Sequence, residues 1–242
     1  MIRTAFILLW VGLATSVFGV IAIVVSFFTR TGNPVHIVAR IWAQSILMAS
    51  RVKVSITGLS NIEPSKSYVY MCNHQSNFDI PVLLGYLPVQ FRWLAKAELF
   101  KIPIFGRAML GAGYVKIDRF NQESAFQSIN EAAARMKNGV SVMIFPEGTR
   151  SKDGSLKSFK KGGFVMAVDS GVPIVPVILR GTWPIMAKSS LRIHRGNVEL
   201  EITNPIDTTG YSRETKDDLM ERVRVAMEDL LKKNEHPPAM HN

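Results

Sequence analysis

The sequence lacks the residues on which disulfide and metal proteins depend. Cys72 is the single cysteine, so no disulfide forms within the chain, and an oxidising compartment is neither required nor excluded. No C-x-x-C pair and no H-E-x-x-H sequence is present, and we therefore expect no metal site. A G-x-S-x-G turn is also absent, which argues against a serine hydrolase.

Acidic residues are missing from residues 1–62, although the chain as a whole has a formal net charge of +10. A basic excess favours nucleic acid, an anionic membrane or a phosphorylated substrate as partner. The sequence contains no zinc finger, RNP-type aromatic motif or basic helix followed by heptads, so we expect no nucleic acid. Five basic residues flank an apolar segment instead, as expected for attraction to anionic lipid headgroups: Arg3, Arg30, Arg40, Arg51 and Lys53.

The apolar segment, residues 4–28, carries no charged side chain. As a helix it would be about 37 Å long, enough to cross a hydrocarbon core of about 30 Å. A cleaved signal peptide would have a shorter apolar region, of about 7–15 residues, that ends at a site with small residues. The length of the run and the polar residues after it therefore predict a retained membrane anchor.

Another segment, residues 35–48, follows the break at Gly32, Asn33 and Pro34, and this one is amphipathic. It either lies along the membrane interface or packs on the rest of the chain as an ordinary helix, and the sequence leaves both interpretations open. Whether the two helices cross the bilayer or dip into one leaflet also stays open. We assign residues 1–50 to a membrane anchor and interfacial helix, and residues 51–242 to a separate domain.

Short apolar runs alternate with helical stretches throughout the second domain. Helical periodicity is clear in residues 122–137 and 215–233. Seven segments are predicted as strands from their β-branched and aromatic content: 52–58, 68–72, 91–95, 113–117, 140–145, 172–179 and 197–202. This alternation predicts an α/β fold with a mixed, mostly parallel sheet flanked by helices.

A histidine and an aspartate follow the second predicted strand in the sequence NHQSNFD, residues 73–79. A neutral His74 is suited to remove a proton from an alcohol at pH 7, and Asp79 would fix its tautomer. The alternative is a structural turn in which His74 forms a hydrogen bond and Asp79 caps a helix. A nucleophilic pair of Cys72 with His74 is less favoured, because a cysteine in an apolar run is usually buried and inert.

The sequence FPEGTRS, residues 145–151, ends another predicted strand. Arg150 presents a planar guanidinium that suits a phosphate. Glu147 would accept a hydrogen bond from a substrate hydroxyl or hold Arg150 in place. The basic stretch that follows, residues 150–163, is either a solvated loop or a site for phosphate groups.

Four blocks of this sequence resemble those of the glycerolipid acyltransferases. They are NHQSNFD, GYVKIDR, FPEGTRS and VPIVPVIL, and they occur in the family's order. The chain length and the N-terminal apolar segment are similar to those of the bacterial 1-acyl-sn-glycerol-3-phosphate acyltransferases. The resemblance implies that residues 51–242 form an acyltransferase domain. Such a domain transfers a fatty acyl group from acyl-CoA or acyl carrier protein to the sn-2 hydroxyl of lysophosphatidic acid, and so forms phosphatidic acid without a cofactor.

The resemblance also implies roles for individual residues. His74 would be the general base and Asp79 its orienting partner. Lys96 would donate to the oxyanion on the thioester carbonyl, and Arg119 would bind the phosphate of the acceptor. The complete set of substrate-binding residues implied by the resemblance is Lys96, which lies between the first two blocks, with Arg119, Glu147, Gly148, Thr149 and Arg150.

The implied location is the cytoplasmic face of a bacterial inner membrane, where lysophosphatidic acid, the acyl donor and anionic lipids meet. Two alternatives remain at this point. The acceptor is another molecule, such as glycerol-3-phosphate or a lysophospholipid with a headgroup, or the chain is a lipid-binding scaffold without turnover. The second alternative fits His74 and Asp79 poorly, because binding alone needs no base.

Overall fold

Seven strands form one sheet in the computed structural model, which describes residues 2–118 and 121–233. In chain order they are β1 (Val52–Thr57), β2 (Val69–Cys72), β3 (Arg92–Lys96), β4 (Val115–Ile117), β5 (Val142–Ile144), β6 (Ile174–Arg180) and β7 (Gly196–Ile202). Each corresponds to one of the seven predicted segments. Their order across the sheet is β1-β7-β6-β2-β5-β3-β4.

The sheet is mixed and mostly parallel. Within the described residues, β6 and β7 pair in antiparallel fashion, and the remaining neighbours are parallel. Helices cover both faces of the sheet. The predicted fold class is thereby confirmed.

Burial in the central strand β2 shows how the sequence forms two cores. All four residues of β2 are buried. Val69 and Met71 belong to the apolar cluster on one face of the sheet, and Tyr70 and Cys72 belong to the cluster on the other. This two-residue alternation between apolar faces is what a strand covered by helices on both sides requires.

Seven α-helices and two short 3₁₀ turns connect the strands in the described residues. The α-helices are α1 (Ile2–Phe27), α2 (Asn33–Ala49), α3 (Asp79–Tyr86), α4 (Phe105–Gly111), α5 (Gln122–Lys137), α6 (Gly162–Ser170) and α7 (Lys216–Lys233). Buried residues of α1–α4 belong to one apolar core, and those of α5–α7 belong to the other. The helices therefore form two layers, with the sheet between them.

The first two helices form an antiparallel hairpin. Pro34 lies in the first turn of α2, where a missing backbone N–H costs no helical hydrogen bond. Near the start of α1, the Arg3 guanidinium donates to the carbonyl of Ser50 at 2.7 Å. Further along, Trp42 Nε1 donates to Thr15 Oγ1 at 3.1 Å. These contacts hold α2 along most of the length of α1.

Helix α2 packs on α3, which is the second of the two arrangements that the sequence left open. Its Arg40 guanidinium donates to three backbone carbonyls in and just after α3, those of Leu84, Leu87 and Val89. Gln44 donates to the carbonyl of Gly85 at 2.9 Å. The more polar residues of α2 thus fasten the helical hairpin to the body of the protein.

Helix α1 exposes a long apolar face. It has 26 residues, is about 39 Å long, and is the one described helix long and apolar enough to cross a membrane. Ile7, Ala14 and Ala22 are buried. The exposed apolar residues of this segment are Ile2, Phe6, Leu8, Leu9, Leu13, Val17, Val20, Ile21, Val24, Phe27 and Phe28. An apolar surface of this extent is typical of a membrane or protein contact.

Helix α6 was not predicted from the sequence. It begins at Gly162 and Gly163, and glycine disfavours a helix by about 1 kcal/mol relative to alanine. Phe164 and Met166 are nevertheless fully buried in the core shared with α5 and α7. Tertiary packing therefore stabilises this helix where local propensity does not.

Candidate active site

The candidate site lies at one edge of the sheet because of the strand topology. Strands β6, β2, β5 and β3 are parallel neighbours, so their carboxyl ends meet at the same edge. His74 follows β2, Lys96 ends β3, and Arg150 lies in the loop after β5. The fold thus brings together two of the four sequence blocks and the lysine that lies between the first two blocks.

His74 and Asp79 are in direct contact. Their Nδ1 and Oδ2 atoms are 2.8 Å apart, and the Asp79 side chain is fully buried whereas 15% of the His74 side chain is exposed. The same carboxylate oxygen accepts the backbone N–H groups of Gln75 at 2.7 Å and Ser76 at 2.8 Å. The loop therefore wraps around the carboxylate. With Nδ1 donating to Asp79, Nε2 carries the free lone pair.

Aromatic stacking fixes the plane of the His74 ring. Phe145 stacks on it with ring centres 3.8 Å apart and an interplanar angle of 8°. Trp93 stacks on Phe145 at 5.3 Å. The phenylalanine of the FPEGTRS block therefore packs directly against the histidine of the NHQSNFD block.

Asn73 ties the His74 loop to strand β6. Its Nδ2 donates to the carbonyl of Leu179 at 2.9 Å, and its Oδ1 accepts the N–H of Leu179 at 2.8 Å. The amide thus continues the pairing between β2 and β6 by one step beyond the end of β2. This reciprocal pair positions the residue that precedes His74.

Among the described residues, the carboxylate of Glu147 accepts hydrogen bonds from backbone N–H groups and not from a side chain. Its Oε1 accepts the N–H of His74 at 2.7 Å, its Oε2 accepts the N–H of Lys157 at 3.0 Å, and only 2% of the residue is exposed. No hydrogen bond or ion pair joins it to Arg150 in the described part of the chain. Burial raises its pKa to about 7, the two backbone N–H groups oppose this shift, and the nearby charge of Asp79 adds to it.

We expect Glu147→Gln to flatten the dependence of unfolding free energy on pH. The folded-state pKa is raised from 4.5 to about 7, so the folded protein holds this proton more tightly than the unfolded chain. The stability that this proton contributes is then greatest below about pH 4.5 and is lost as pH rises to about 7, by roughly 3 kcal/mol at most. Melting temperatures across this range for wild type and variant measure the effect. Glu63→Gln, at an exposed carboxylate paired with Lys66, is the control.

Equal pH slopes in wild type and Glu147→Gln would contradict this assignment. A slope that Glu63→Gln flattens as strongly would do the same, because exposed carboxylates would then carry the effect.

A cavity of about 490 Å³ opens beside His74. Lys96, Thr149 and Arg150 line it near the histidine. Its other walls are mostly apolar, and eight residues of α1 and α2 contribute to them: Thr15, Phe18, Gly19, Ala22, Val35, Val38, Ala39 and Trp42. The contribution of these two helices was not predicted, because nothing in their sequences distinguishes a cavity wall from a helix contact.

The remaining predicted site residues have different surroundings. Lys96 forms an ion pair with Glu98 at 3.2 Å and is about half exposed. Gly148 has φ 71°, a left-handed conformation that glycine adopts without strain, and this shapes the loop. Arg119 lies outside the described residues. Among the residues that the structure does describe, no group of three or more His, Cys, Asp or Glu is placed to hold a metal ion.

Lys188 is a cation at this site that sequence reasoning missed. Its Nζ donates to Thr149 Oγ1 at 3.1 Å and to the carbonyl of Arg150 at 3.2 Å. It lies in the loop after β6, whose carboxyl end is at the same sheet edge. The available signal was the absence of Asp and Glu from residues 181–198, which leaves the basic residues of this loop without local partners.

Cys72 has no place in the chemistry. It is fully buried, and its thiol donates weakly to Asn73 Oδ1 at 3.7 Å. Burial, with the charges of Asp79 and Glu147, raises the pKa of this thiol well above its ordinary value. The thiol is therefore neutral, and a nucleophilic pair with His74 is not supported.

Comparisons with known proteins give a consistent family. A family model described as Acyltransferase matches residues 53–180. The chloroplastic 1-acyl-sn-glycerol-3-phosphate acyltransferase of Arabidopsis thaliana is 43% identical over 71% of this chain and 48% of its own length. The 1-acyl-sn-glycerol-3-phosphate acyltransferase alpha of Homo sapiens is 33% identical over 73% of this chain and 62% of its own length. The chain thus spans about half to three fifths of these relatives.

A solved structure resembles nearly the whole chain. It is the crystal structure of the 1-acyl-sn-glycerophosphate (LPA) acyltransferase from Thermotoga maritima, with a TM-score of 0.83 and 28% sequence identity. The match covers 98% of this chain and 96% of that one, so it includes the helical hairpin as well as the sheet.

Proposed function

Because the chain belongs to the acyltransferase family, as its four sequence blocks predicted, we propose that it transfers a fatty acyl group from a thioester to the sn-2 hydroxyl of lysophosphatidic acid. The product is phosphatidic acid. The observation that carries this proposal is the 2.8 Å contact between His74 and buried Asp79, at the mouth of an apolar cavity. Alcohol activation needs such a base, and an acyl chain needs such a cavity.

The proposed reaction is a direct transfer. His74 Nε2 accepts the proton of the acceptor hydroxyl while the hydroxyl oxygen attacks the thioester carbonyl. The C–O bond forms, the C–S bond breaks, and the departing thiolate takes the proton from the imidazolium. Asp79 stabilises the imidazolium while it exists. We assign Lys96, whose side chain lines the cavity, as the donor to the transient oxyanion. This sequence of steps needs no cofactor.

The phosphate of the acceptor is proposed to bind at the loop after β5. Arg150 lines the cavity, and Lys188 lies against the backbone of the same loop. Arg119, which follows β4, is proposed as a third cation. Gly148 and Thr149 would shape this pocket. Since both oxygens of Glu147 accept backbone N–H groups, we propose that it positions the His74 loop and does not chiefly bind the acceptor.

Membrane association is proposed to place the cavity at the bilayer. Residues 1–50 would form the anchor and residues 51–242 the catalytic domain, with α1 and α2 providing one cavity wall. Helix α1 is fastened to the body near both ends, through the Thr4 hydroxyl, which accepts the N–H of Ile193, and through contact of Ser26 with Gly111. We therefore propose that it lies with its apolar face in one leaflet rather than crossing alone. Acyl-CoA and acyl carrier protein are cytoplasmic donors, so we propose that the catalytic domain lies on the cytoplasmic face of the membrane. In a bacterial cell this is the inner membrane.

Acceptor selectivity tests this function. We expect purified protein with an acyl-CoA to acylate lysophosphatidic acid with a kcat/KM at least about tenfold above that for lysophosphatidylcholine, whose phosphate carries choline and less negative charge. Glycerol-3-phosphate has the same phosphate but no acyl chain to bury in the apolar cavity, so its kcat/KM should also be at least about tenfold lower. Lys188→Gln should raise KM for lysophosphatidic acid by about tenfold and leave kcat nearly unchanged. Lys137→Gln, on the opposite face of the sheet, is the matched control.

Preference for a neutral-headgroup acceptor would overturn the proposed substrate. Absence of product with both acyl-CoA and acyl carrier protein as donors, over all three acceptors, would overturn the enzyme itself.

A further inference from the structure

Four exposed arginines gather at the N-terminal end of α1 from three distant parts of the chain. Arg3 belongs to α1, Arg51 follows α2, and Arg192 and Arg195 precede β7. We call these four residues the arginine cluster. No sequence block contains any of them, and the proposed catalytic mechanism uses none.

Specific contacts bring the three segments together. The Arg3 guanidinium donates to the carbonyl of Ser50, directly before Arg51. The N–H of Ile193 donates to the hydroxyl of Thr4 at 3.3 Å, and Ile193 is buried between its exposed neighbours. This contact fastens the loop before β7 to the first turn of α1.

The sheet register aligns the remaining two arginines. Strands β1 and β7 pair in parallel, with Val52 opposite Gly196. Arg51 and Arg195 each lie one residue before this pair, so they are neighbours across the start of the two strands. The cluster is therefore built by the fold and does not depend on a flexible surface loop alone.

The arginine cluster carries positive charge without compensation. Residues 1–62 and 181–198 contain no Asp or Glu. Within the described residues, none of the four arginines forms an ion pair, whereas Arg213 and Arg224 pair with Asp169 and Glu228. Four like charges held together without carboxylates disfavour the folded state unless anions gather there.

Exposed apolar side chains adjoin the arginine cluster. Ile2 is 90% exposed, Phe6 is 60% exposed and Leu191 is 73% exposed. Cations beside apolar side chains are the pattern of a surface that sits at the headgroup layer, with the apolar groups below it. A soluble acidic partner would leave these apolar groups in water.

We propose that the arginine cluster binds the anionic headgroups of the bilayer, and that the loop of residues 188–195 is a second membrane contact beside α1. This inference rests on the proposed membrane association. Lys188 lies in the same loop and reaches the backbone of Arg150. Headgroup binding by this loop would therefore place the entrance of the site at the depth where lysophosphatidic acid presents its phosphate.

Vesicle binding tests this inference without any turnover step. The full chain, purified in detergent and diluted into phosphatidylcholine vesicles with or without added phosphatidylglycerol, is separated by flotation. Each arginine near an anionic surface contributes about fivefold, so we expect Arg192→Gln/Arg195→Gln to lower partition to anionic vesicles roughly 25-fold and to leave neutral vesicles unchanged. Wild-type preference for anionic vesicles should fall steeply with added salt.

The matched control is Lys137→Gln/Arg222→Gln, which removes two charges from exposed residues of α5 and α7 on the opposite face of the sheet. Equal loss in this control would overturn the inference, because net charge alone would then explain it. The inference would also be overturned if Arg192→Gln/Arg195→Gln kept the wild-type preference for anionic vesicles. The same holds if this variant lost only its binding to an acidic carrier protein. A protein that binds anionic vesicles through the cluster but forms no phosphatidic acid would contradict the proposed function alone.

Discussion

His74→Ala should lower kcat for the acylation of lysophosphatidic acid by at least about 10²-fold, the usual contribution of a general base. The neutral alcohol is a poor nucleophile, and no other described side chain near the cavity mouth combines a free imine nitrogen with an orienting carboxylate. The measurement is steady-state turnover of purified protein with an acyl-CoA, wild type beside variant.

His74→Ala also removes the ring on which Phe145 stacks, with ring centres 3.8 Å apart, so the variant could lose structure as well as the base. His74→Gln fills part of that space and supplies no base, so it should lose activity equally. Melting temperature and affinity for lysophosphatidic acid report any structural damage. Equal turnover in wild type and both variants would remove His74 from the mechanism, and a lipid-binding scaffold would become the better interpretation.

Asp79→Asn should cost between about 10² and 10⁴ in kcat, by analogy with the carboxylate that orients a catalytic histidine in serine proteases. The amide removes the negative charge that stabilises the imidazolium. Its oxygen is still able to accept the N–H groups of Gln75 and Ser76, so the loop should keep its shape.

The contribution of Asp79 to stability can be measured separately from its contribution to kcat. Asp79→Ala also leaves two buried N–H groups unpaired, at about 1–3 kcal/mol each, so it should lose stability as well as kcat. Asp79→Asn should lose mainly kcat, with KM for lysophosphatidic acid little changed. If Asp79→Asn instead kept full kcat and lost only stability, the carboxylate would be a helix-start residue and no more.

Much of the fold was readable from the sequence because buried strands have a distinctive composition. VYMC in β2 and VMI in β5 are short, apolar and bounded by polar turns, and both were predicted. The contact of His74 with Asp79 was also within reach, since a turn between a strand and a helix places residues five apart side by side.

What the sequence did not reveal depends on contacts between distant segments. Lys188 reaches Thr149 because β6 ends at the same sheet edge as β5, and no local pattern encodes that approach. The sequence FPEGTRS does not say where the carboxylate of Glu147 points, so both roles considered for it left out the backbone N–H groups that it holds. Helix α6 formed against its own glycines for the same reason.

Strand β1 has a consequence for how the chain reaches its native state. It directly follows the helical hairpin, but Val52 pairs with Gly196, which is synthesised much later. Helices α1 and α2 contact each other locally, so we expect their hairpin to form early, whereas β1 should remain an unpaired edge until β7 has been synthesised. If α1 lies in one leaflet as proposed, we expect the hairpin to meet the bilayer before the sheet is complete, and the β1–β7 pair to close at the membrane surface.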